Sequence, residues 1–432
     1  MIKIYNYPSK SAAARVASIT KRSFGFNKKD FLYVTHILKD VRKNGDQALV
    51  KYANRFDSPG LNQKTLKVSS KEIDTAIKKI DRSFVRSLNR AAVQIEAFHK
   101  QQMSRSWIDT QRPGTVLGQL VNPVDAAGVY VPGGKGGQTP LVSSLLMGVI
   151  PARIAGVKNI SMVTPAAKDG TVNPYLLIAA KKVGVNRIFK VGSAWAIAAL
   201  AYGTETIPKV DVIVGPGNMY VTLAKKIVAG TVGIDLIAGP SEILIIADST
   251  ANPGFVAADL LSQAEHDTLA SAILVTNSKE TAKAVAGAVK NQLKNLMRKE
   301  IAEESLARFG TILVVPDLTT AVEIANEIAP EHLELLIQDP VEYIGRIRNA
   351  GAVFIGHYTP EPVGDYMAGP NHVLPTAGTA RFSSALSVDN FLKKTSLIHY
   401  SKKAFKREAK DIIRLAEIEG LDGHANSIKV RL

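Results

Sequence analysis

The chain has 432 residues, 46% of them hydrophobic and 21% charged, which is enough to bury real cores in two or three domains. It has no cysteine, which excludes disulfides, thiolate metal sites and a thiol nucleophile and fits a reducing, cytoplasmic setting. The net charge is 54 − 38 = +16, but Lys and Arg are scattered without an aromatic-interleaved run, so general basicity outweighs a nucleic-acid function.

Met1–Lys10 lacks the apolar stretch of a secretory signal, and runs such as Ile188–Ala201 are broken well short of a membrane span. Residues 1–114 read as mostly helical. Phe31–Asn54 has apolar residues at helical spacing, Ser69-Ser70-Lys71-Glu72 is a capping-box pattern, and Ile73–His99 reads as one long amphipathic helix.

From Thr115 short apolar strands alternate with helices. Strands are expected at Ala126–Val131, Ile160–Thr164, Arg187–Val191 and Val210–Val214, with helices between them. The pattern resumes with strands Glu242–Ala247, Ala272–Thr276, Thr311–Val315, Leu333–Ile337 and Ala352–Ile355. This βαβ repetition predicts an α/β fold of two doubly wound, Rossmann-like parallel-sheet modules, over 115–240 and 241–386. The tail, 387–432, holds one clear helix, Lys402–Glu419, and lies far enough past the second module to cross to another subunit.

Several clusters carry chemistry. The glycine-rich turns Gly133–Gly137 and Gly215–Asn218 each follow a strand, where backbone N–H groups suit a pyrophosphate. Neither is a G-x-G-x-x-G fingerprint, and a plain tight turn competes with each. Ser262-Gln263-Ala264-Glu265-His266-Asp267 closes a predicted helix that begins at Pro253. Gln263 and His266 share a helix face there and can both meet a borderline metal such as zinc, although an ordinary helix C-terminus with a favourable His is the competing reading. Asp365, in the Gly/Pro-rich loop 357–382, and His424 are the candidates to complete the set.

Glu331-His332 offers a carboxylate beside an imidazole, a general-base and proton-shuttle pair. Both Glu331 and His266 fall where a helix hands over to a strand, so the second module presents the unconventional edge of its sheet to the first. His357 and His372 are candidates for supporting groups; His36, His99 and His399 read as peripheral.

With these pieces placed, the chain resembles the histidinol dehydrogenases over essentially its whole length. The resemblance rests on Gly128-Val129-Tyr130-Val131-Pro132-Gly133-Gly134, Gly215-Pro216-Gly217-Asn218, Ile237-Ala238-Gly239-Pro240-Ser241-Glu242, Gln263-Ala264-Glu265-His266-Asp267, Ala329-Pro330-Glu331-His332-Leu333-Glu334, the Gly364–Thr376 stretch and Glu419-Gly420-Leu421-Asp422-Gly423-His424. It implies a cytoplasmic, zinc-dependent homodimer of histidine biosynthesis that oxidises L-histidinol to L-histidine through L-histidinal with NAD. By the same resemblance Gln263, His266, Asp365 and His424 hold zinc, His424 crossing from the partner. Glu331 and His332 are implied as acid/base residues. Ser241, His332 and Glu419 are implied to touch substrate with the zinc ligands, and Tyr130 and Asn218 to touch NAD. Where the family commonly has Gln in Gly-Gly-Ala-Gln, Gly192-Ser193-Ala194-Trp195 puts Trp195 at the cofactor position, and an indole cannot accept a hydrogen bond as an amide does. A zinc- and NAD-dependent dehydrogenase of another small polar alcohol, and a basic nucleic-acid-binding protein, are the alternatives.

Overall fold

The computed structural model describes residues 2–22, 25–78, 80–134 and 139–432. Lys135, Gly136 and Gly137 of the first glycine-rich turn lie outside the described residues.

Among the described residues two parallel sheets form the body of the protein. The first orders its strands Arg187–Phe189, Asn159–Val163, Ala126–Tyr130, Val212–Val214 and Gly233–Ile234. The second runs Lys3–Asn6, Thr311–Val314, Ser271–Thr276, Glu242–Ala247, His332–Leu336 and Ala352–Ile355. Counting strands within each module and setting Lys3–Asn6 aside, both follow the order 3-2-1-4-5. That shared winding is the doubly wound arrangement, with a switch point between the first and fourth strands. Its central strands are covered on both faces, so Glu242–Ala247 and Ser271–Thr276 are buried at every position, as near-continuous apolar runs require.

The N-terminal region divides between the modules. Lys3–Asn6, in a segment that reads as helical, is instead a strand that extends the second sheet beside Thr311–Val314. The long helix is Lys28–Phe56, broken at Gly45, and it packs on the Ser193–Tyr202 helix of the first module. The expected Ile73–His99 helix is two helices, Ser70–Ile77 and Arg82–Lys100. Asp81 restarts the chain by accepting the Phe84 N–H at 2.8 Å, a side-chain cap that hydrophobic periodicity does not register.

The tail contains more than the expected helix. Strand Leu392–Tyr400 pairs antiparallel with Thr115–Pro123, which pairs with Trp107–Asp109; helices Lys402–Ile418 and Asp422–Lys429 follow and pack together. Thr115–Pro123 thus joins the tail's sheet and not the first parallel one. No helix among the described residues is long and apolar enough to cross a membrane.

Candidate active site

The first module's switch point falls between Ala126–Tyr130 and Val212–Val214, with the Gly215–Asn218 turn at their carboxyl ends. Two buried groups pin that turn. Asp235 accepts the Gly215 N–H at 2.7 Å, Lys225 Nζ donates to the Gly215 carbonyl at 2.9 Å, and Lys225 and Asp235 are themselves paired. Gly215 has φ of 114°, and a Cβ there would meet the Tyr130 carbonyl oxygen at 2.1 Å, so only glycine fits. Asn218 caps the Met219–Val228 helix, its Oδ1 accepting from Tyr220 and Val221 N–H at 3.1 Å each. Tyr130 is buried, and its hydroxyl accepts the Ser193 N–H at 3.2 Å.

Trp195 differs from its neighbours. Its indole stacks against Tyr52 (centroids 5.7 Å, 18°) and Phe56 (5.6 Å, 23°), both from the Lys28–Phe56 helix, and is almost wholly buried. The ring is engaged in packing the N-terminal helix onto the module, and its Nε1 has no hydrogen-bond partner.

The second module gathers its chemistry at the amino edge of its sheet. The Leu318–Ile328 helix ends on Ala329 in the left-handed conformation (φ 53°), and Pro330 then turns the chain into strand His332–Leu336. The Glu331 carboxyl oxygen accepts the Glu242 N–H at 2.9 Å, and His332 Nδ1 lies 2.9 Å from the Glu242 carbonyl. A carbonyl only accepts, so Nδ1 carries the proton and Nε2 keeps its lone pair. Nε2 points to the Glu361 carboxyl group at 3.9 Å. His332, Glu361 and Asp365 bring one donor atom each to within 4.8 Å of one another. His332 is 4% exposed, and burial pushes its pKa down to about 4, so it is neutral.

Asp365 and Glu361 stand four positions apart on the short helix Glu361–Tyr366. Asp365 Oδ1 lies 3.4 Å from His372 Nδ1, and His372 Nε2 lies 3.5 Å from Ser144 Oγ. Burial raises the Asp365 pKa, but the neighbouring His372 imidazole outweighs it and holds the carboxyl below its ordinary range. A cavity of about 290 Å³ opens over His332, Asp365, His372 and Phe354.

The Pro253–Ala264 helix stops two residues before His266, short of the expected span. Past its end the His266 N–H bonds the Gln263 carbonyl at 3.2 Å, folding the ring back so that Nδ1 lies 3.4 Å from Gln263 Nε2. Gln263 is 1% exposed, and its Oε1 is buried without a partner. His266 lies close enough to His332 to depress its pKa. Ser241 sits at the edge of the same sheet, its carbonyl accepting from the Ser271 N–H. Glu419 and His424 lie exposed on the C-terminal unit, where the Asp422–Lys429 helix packs on Lys402–Ile418.

An orphaned buried amide oxygen, a carboxylate held ionised and imidazole nitrogens form a donor set that suits a borderline divalent cation such as zinc. The structure thus brings Asp365 together with His332 and Glu361, and pairs Gln263 with His266 beside them. His424 is not a member of that cluster among the described residues, and it is exposed.

Several buried acids were not singled out in the sequence. Glu361 shares a helical face with Asp365, and Glu334 shares a strand face with His332, so spacing alone could have raised both. Glu242 pairs with Arg22 at 3.6 Å, and Glu334 accepts the Glu361 N–H at 2.8 Å.

A sequence model described as histidinol dehydrogenase matches residues 22–432. The chain belongs to the histidinol dehydrogenase family. It is 56% identical to the histidinol dehydrogenase of Desulfotalea psychrophila over 92% of both chains, and 49% identical to that of Heliobacterium mobile over the full length of both. It superposes on the crystal structure of histidinol dehydrogenase from Elizabethkingia anophelis with a TM-score of 0.93 at 38% identity, covering 100% of this chain and 98% of that one.

The acids of this family member make its stability depend on pH. Burial first, then Asp259, pushes Glu334 up to about 9; burial first, then Asp365, pushes Glu361 up to about 8. Both are protonated when folded and ionised when unfolded at neutral pH, so the folded state binds more protons and stability falls as pH rises. His332, depressed to about 4, acts in the opposite sense only below its ordinary value of 6.5. Urea unfolding of the metal-free protein is expected to show a lower midpoint at pH 8 than at pH 6.5, each acid contributing up to about 1.4 kcal/mol per pH unit. A midpoint that rises over this window would mean the acids are ionised in the fold.

Proposed function

We propose that this protein oxidises L-histidinol to L-histidine by way of L-histidinal, as a cytoplasmic homodimer. The observation that carries the reading is the orientation of His332: its Nδ1 is committed to the Glu242 carbonyl, and its Nε2 faces the Asp365 and Glu361 carboxyl groups beside a small cavity. Gln263, His266 and Asp365, with the partner subunit's His424, would hold zinc. The exposure of residue 424 in one chain supports a role across an interface. When bound, zinc would fix the substrate through its imidazole and amine, and two NAD molecules in succession would each take up one hydride.

His332 Nε2 accepts the hydroxyl proton in the first oxidation. Glu331 accepts a proton from water as it adds to the aldehyde, because the chain has no thiol for covalent capture. Ser241 and Glu419 bind the substrate's polar groups. Tyr130 and Asn218 contact the dinucleotide in this reading, which their position at the first sheet's carboxyl edge supports, and Trp195 backs that edge by packing.

With zinc and NAD added, histidinol should give two NADH per histidine, and other small amino alcohols far less. Mixing two inactive variants, His332→Asn and His424→Ala, should restore part of the activity, since hybrid dimers carry one intact shared site. No gain on mixing, with dimers shown to exchange, would place each site within one chain.

A further inference from the structure

The loop that carries Asp365 and His372 is tied to the first module by a buried polar clamp. Pro151 lies inside the Val142–Ala155 helix. Proline has no N–H, so the carbonyl four residues back, that of Met147, loses its helical donor. Asn371 Nδ2 fills the gap, donating to the Met147 carbonyl at 2.8 Å. The same Nδ2 lies 3.3 Å from His99 Nε2, and Asn371 Oδ1 accepts the Val373 N–H at 3.0 Å.

His99 is 0% exposed, although its sequence context reads as peripheral. Its Nδ1 lies 2.9 Å from the Ile95 carbonyl, so Nδ1 holds the proton and Nε2 is the acceptor for Asn371. Burial lowers the pKa of this ring and so favours its neutral form, against the Ile95 and Leu386 carbonyls, which raise it. The loop backbone also lies flat on the His99 helix: Gly369 has φ of 109°, and a Cβ there would sit 2.7 Å from the Gln94 carbonyl. Three elements distant in sequence therefore converge on one amide. The residue after it, His372, brings its Nδ1 to 3.4 Å from Asp365 Oδ1.

We propose that Asn371, clamped between the Met147 carbonyl and the His99 ring, is a positioning residue that sets Asp365 as a metal donor, and that Pro151 supplies the open acceptor. This rests on the zinc-dependent reading of the site. The clamp also fixes the metal loop to the cofactor-side helix, so cofactor and metal halves share one reference point. A buried amide with its donors and acceptor engaged leaves the loop one arrangement. Partners behind a metal ligand commonly govern metal affinity tenfold to a hundredfold.

The test is zinc affinity, measured by competition with a chromophoric chelator on the metal-free full-length protein, alongside its thermal midpoint. Asn371→Leu keeps the branched shape and loses the hydrogen bonds; zinc should bind about ten- to a hundredfold more weakly. Val289→Ala, in a separate core of the second module, should lower the midpoint and leave zinc affinity within twofold. Pro151→Ala should raise the midpoint, by restoring the helical N–H, and yet weaken zinc binding as that N–H competes for the Met147 carbonyl. Should Asn371→Leu fail to fold, His99→Gln, which removes only the ring acceptor's position, should show the same loss in milder form. Wild-type zinc affinity in Asn371→Leu and His99→Gln, or an equal loss in Val289→Ala, overturns the proposal. A wild-type protein that binds no zinc would instead overturn the function on which it rests.

Discussion

Glu331→Gln is expected to lower histidinal oxidation by about a hundredfold to ten-thousandfold, the usual range for removing a general base, or about 3–5 kcal/mol in the barrier. The substitution is nearly isosteric, and its amide oxygen can still accept the Glu242 N–H that Glu331 now accepts at 2.9 Å. Folding should survive, so the loss reads as chemistry. Burial holds the Glu331 carboxyl well above its ordinary range, and the nearby charges of Glu242, Asp365 and Glu361 add to that. Its base form is therefore favoured only when positive charge enters the site. Histidinal oxidation should rise with pH along a limb that lies above the ordinary carboxylate range, and that limb should vanish in the variant. Stopped-flow measurement of NADH formation from supplied histidinal checks both points. Wild-type speed in Glu331→Gln would remove the residue from this role.

His332→Asn should act on the other half of the reaction. An asparagine amide can donate to the Glu242 carbonyl as Nδ1 does, so the strand edge should keep its structure. What it lacks is a lone pair at the position of Nε2, 3.9 Å from Glu361. Oxidation of histidinol should fall by about a hundredfold or more, while oxidation of supplied histidinal should fall less. Because burial pushes His332 down to about 4, the wild-type alcohol step should show no His332-derived loss as pH falls from 7 to 5. A histidine with its ordinary pKa of 6.5 would lose most of its base form over that interval. Unchanged alcohol oxidation in the variant, measured as single-turnover NADH formation, would assign the proton to another group.

The parallel modules were legible because a parallel sheet covered on both faces demands uninterrupted apolar strands, and Glu242–Ala247 and Ser271–Thr276 are such runs. The strands that escaped notice lie at margins. Lys3–Asn6 is an edge strand with mostly exposed side chains, so it carries little hydrophobic signal. Leu392–Tyr400 is likewise mostly exposed or half-buried, and only its pairing with Thr115–Pro123 reveals it. The end of the Pro253–Ala264 helix could not be read either, since periodicity does not report the turn that folds His266 onto Gln263.

The sequence by itself determined the winding of the two modules, the residue types available for chemistry and the family, because these depend on local pattern and on ordered motifs along the chain. Tertiary structure alone decided three things. It set the protonated nitrogen of His332, because a carbonyl on a neighbouring strand selects it. It put Glu361 into the cluster with His332 and Asp365, because a loop returns a short helix to the sheet edge. It made His99 a buried anchor and Trp195 a packing residue, because what surrounds a side chain comes from segments far away in sequence, which no window along the chain contains.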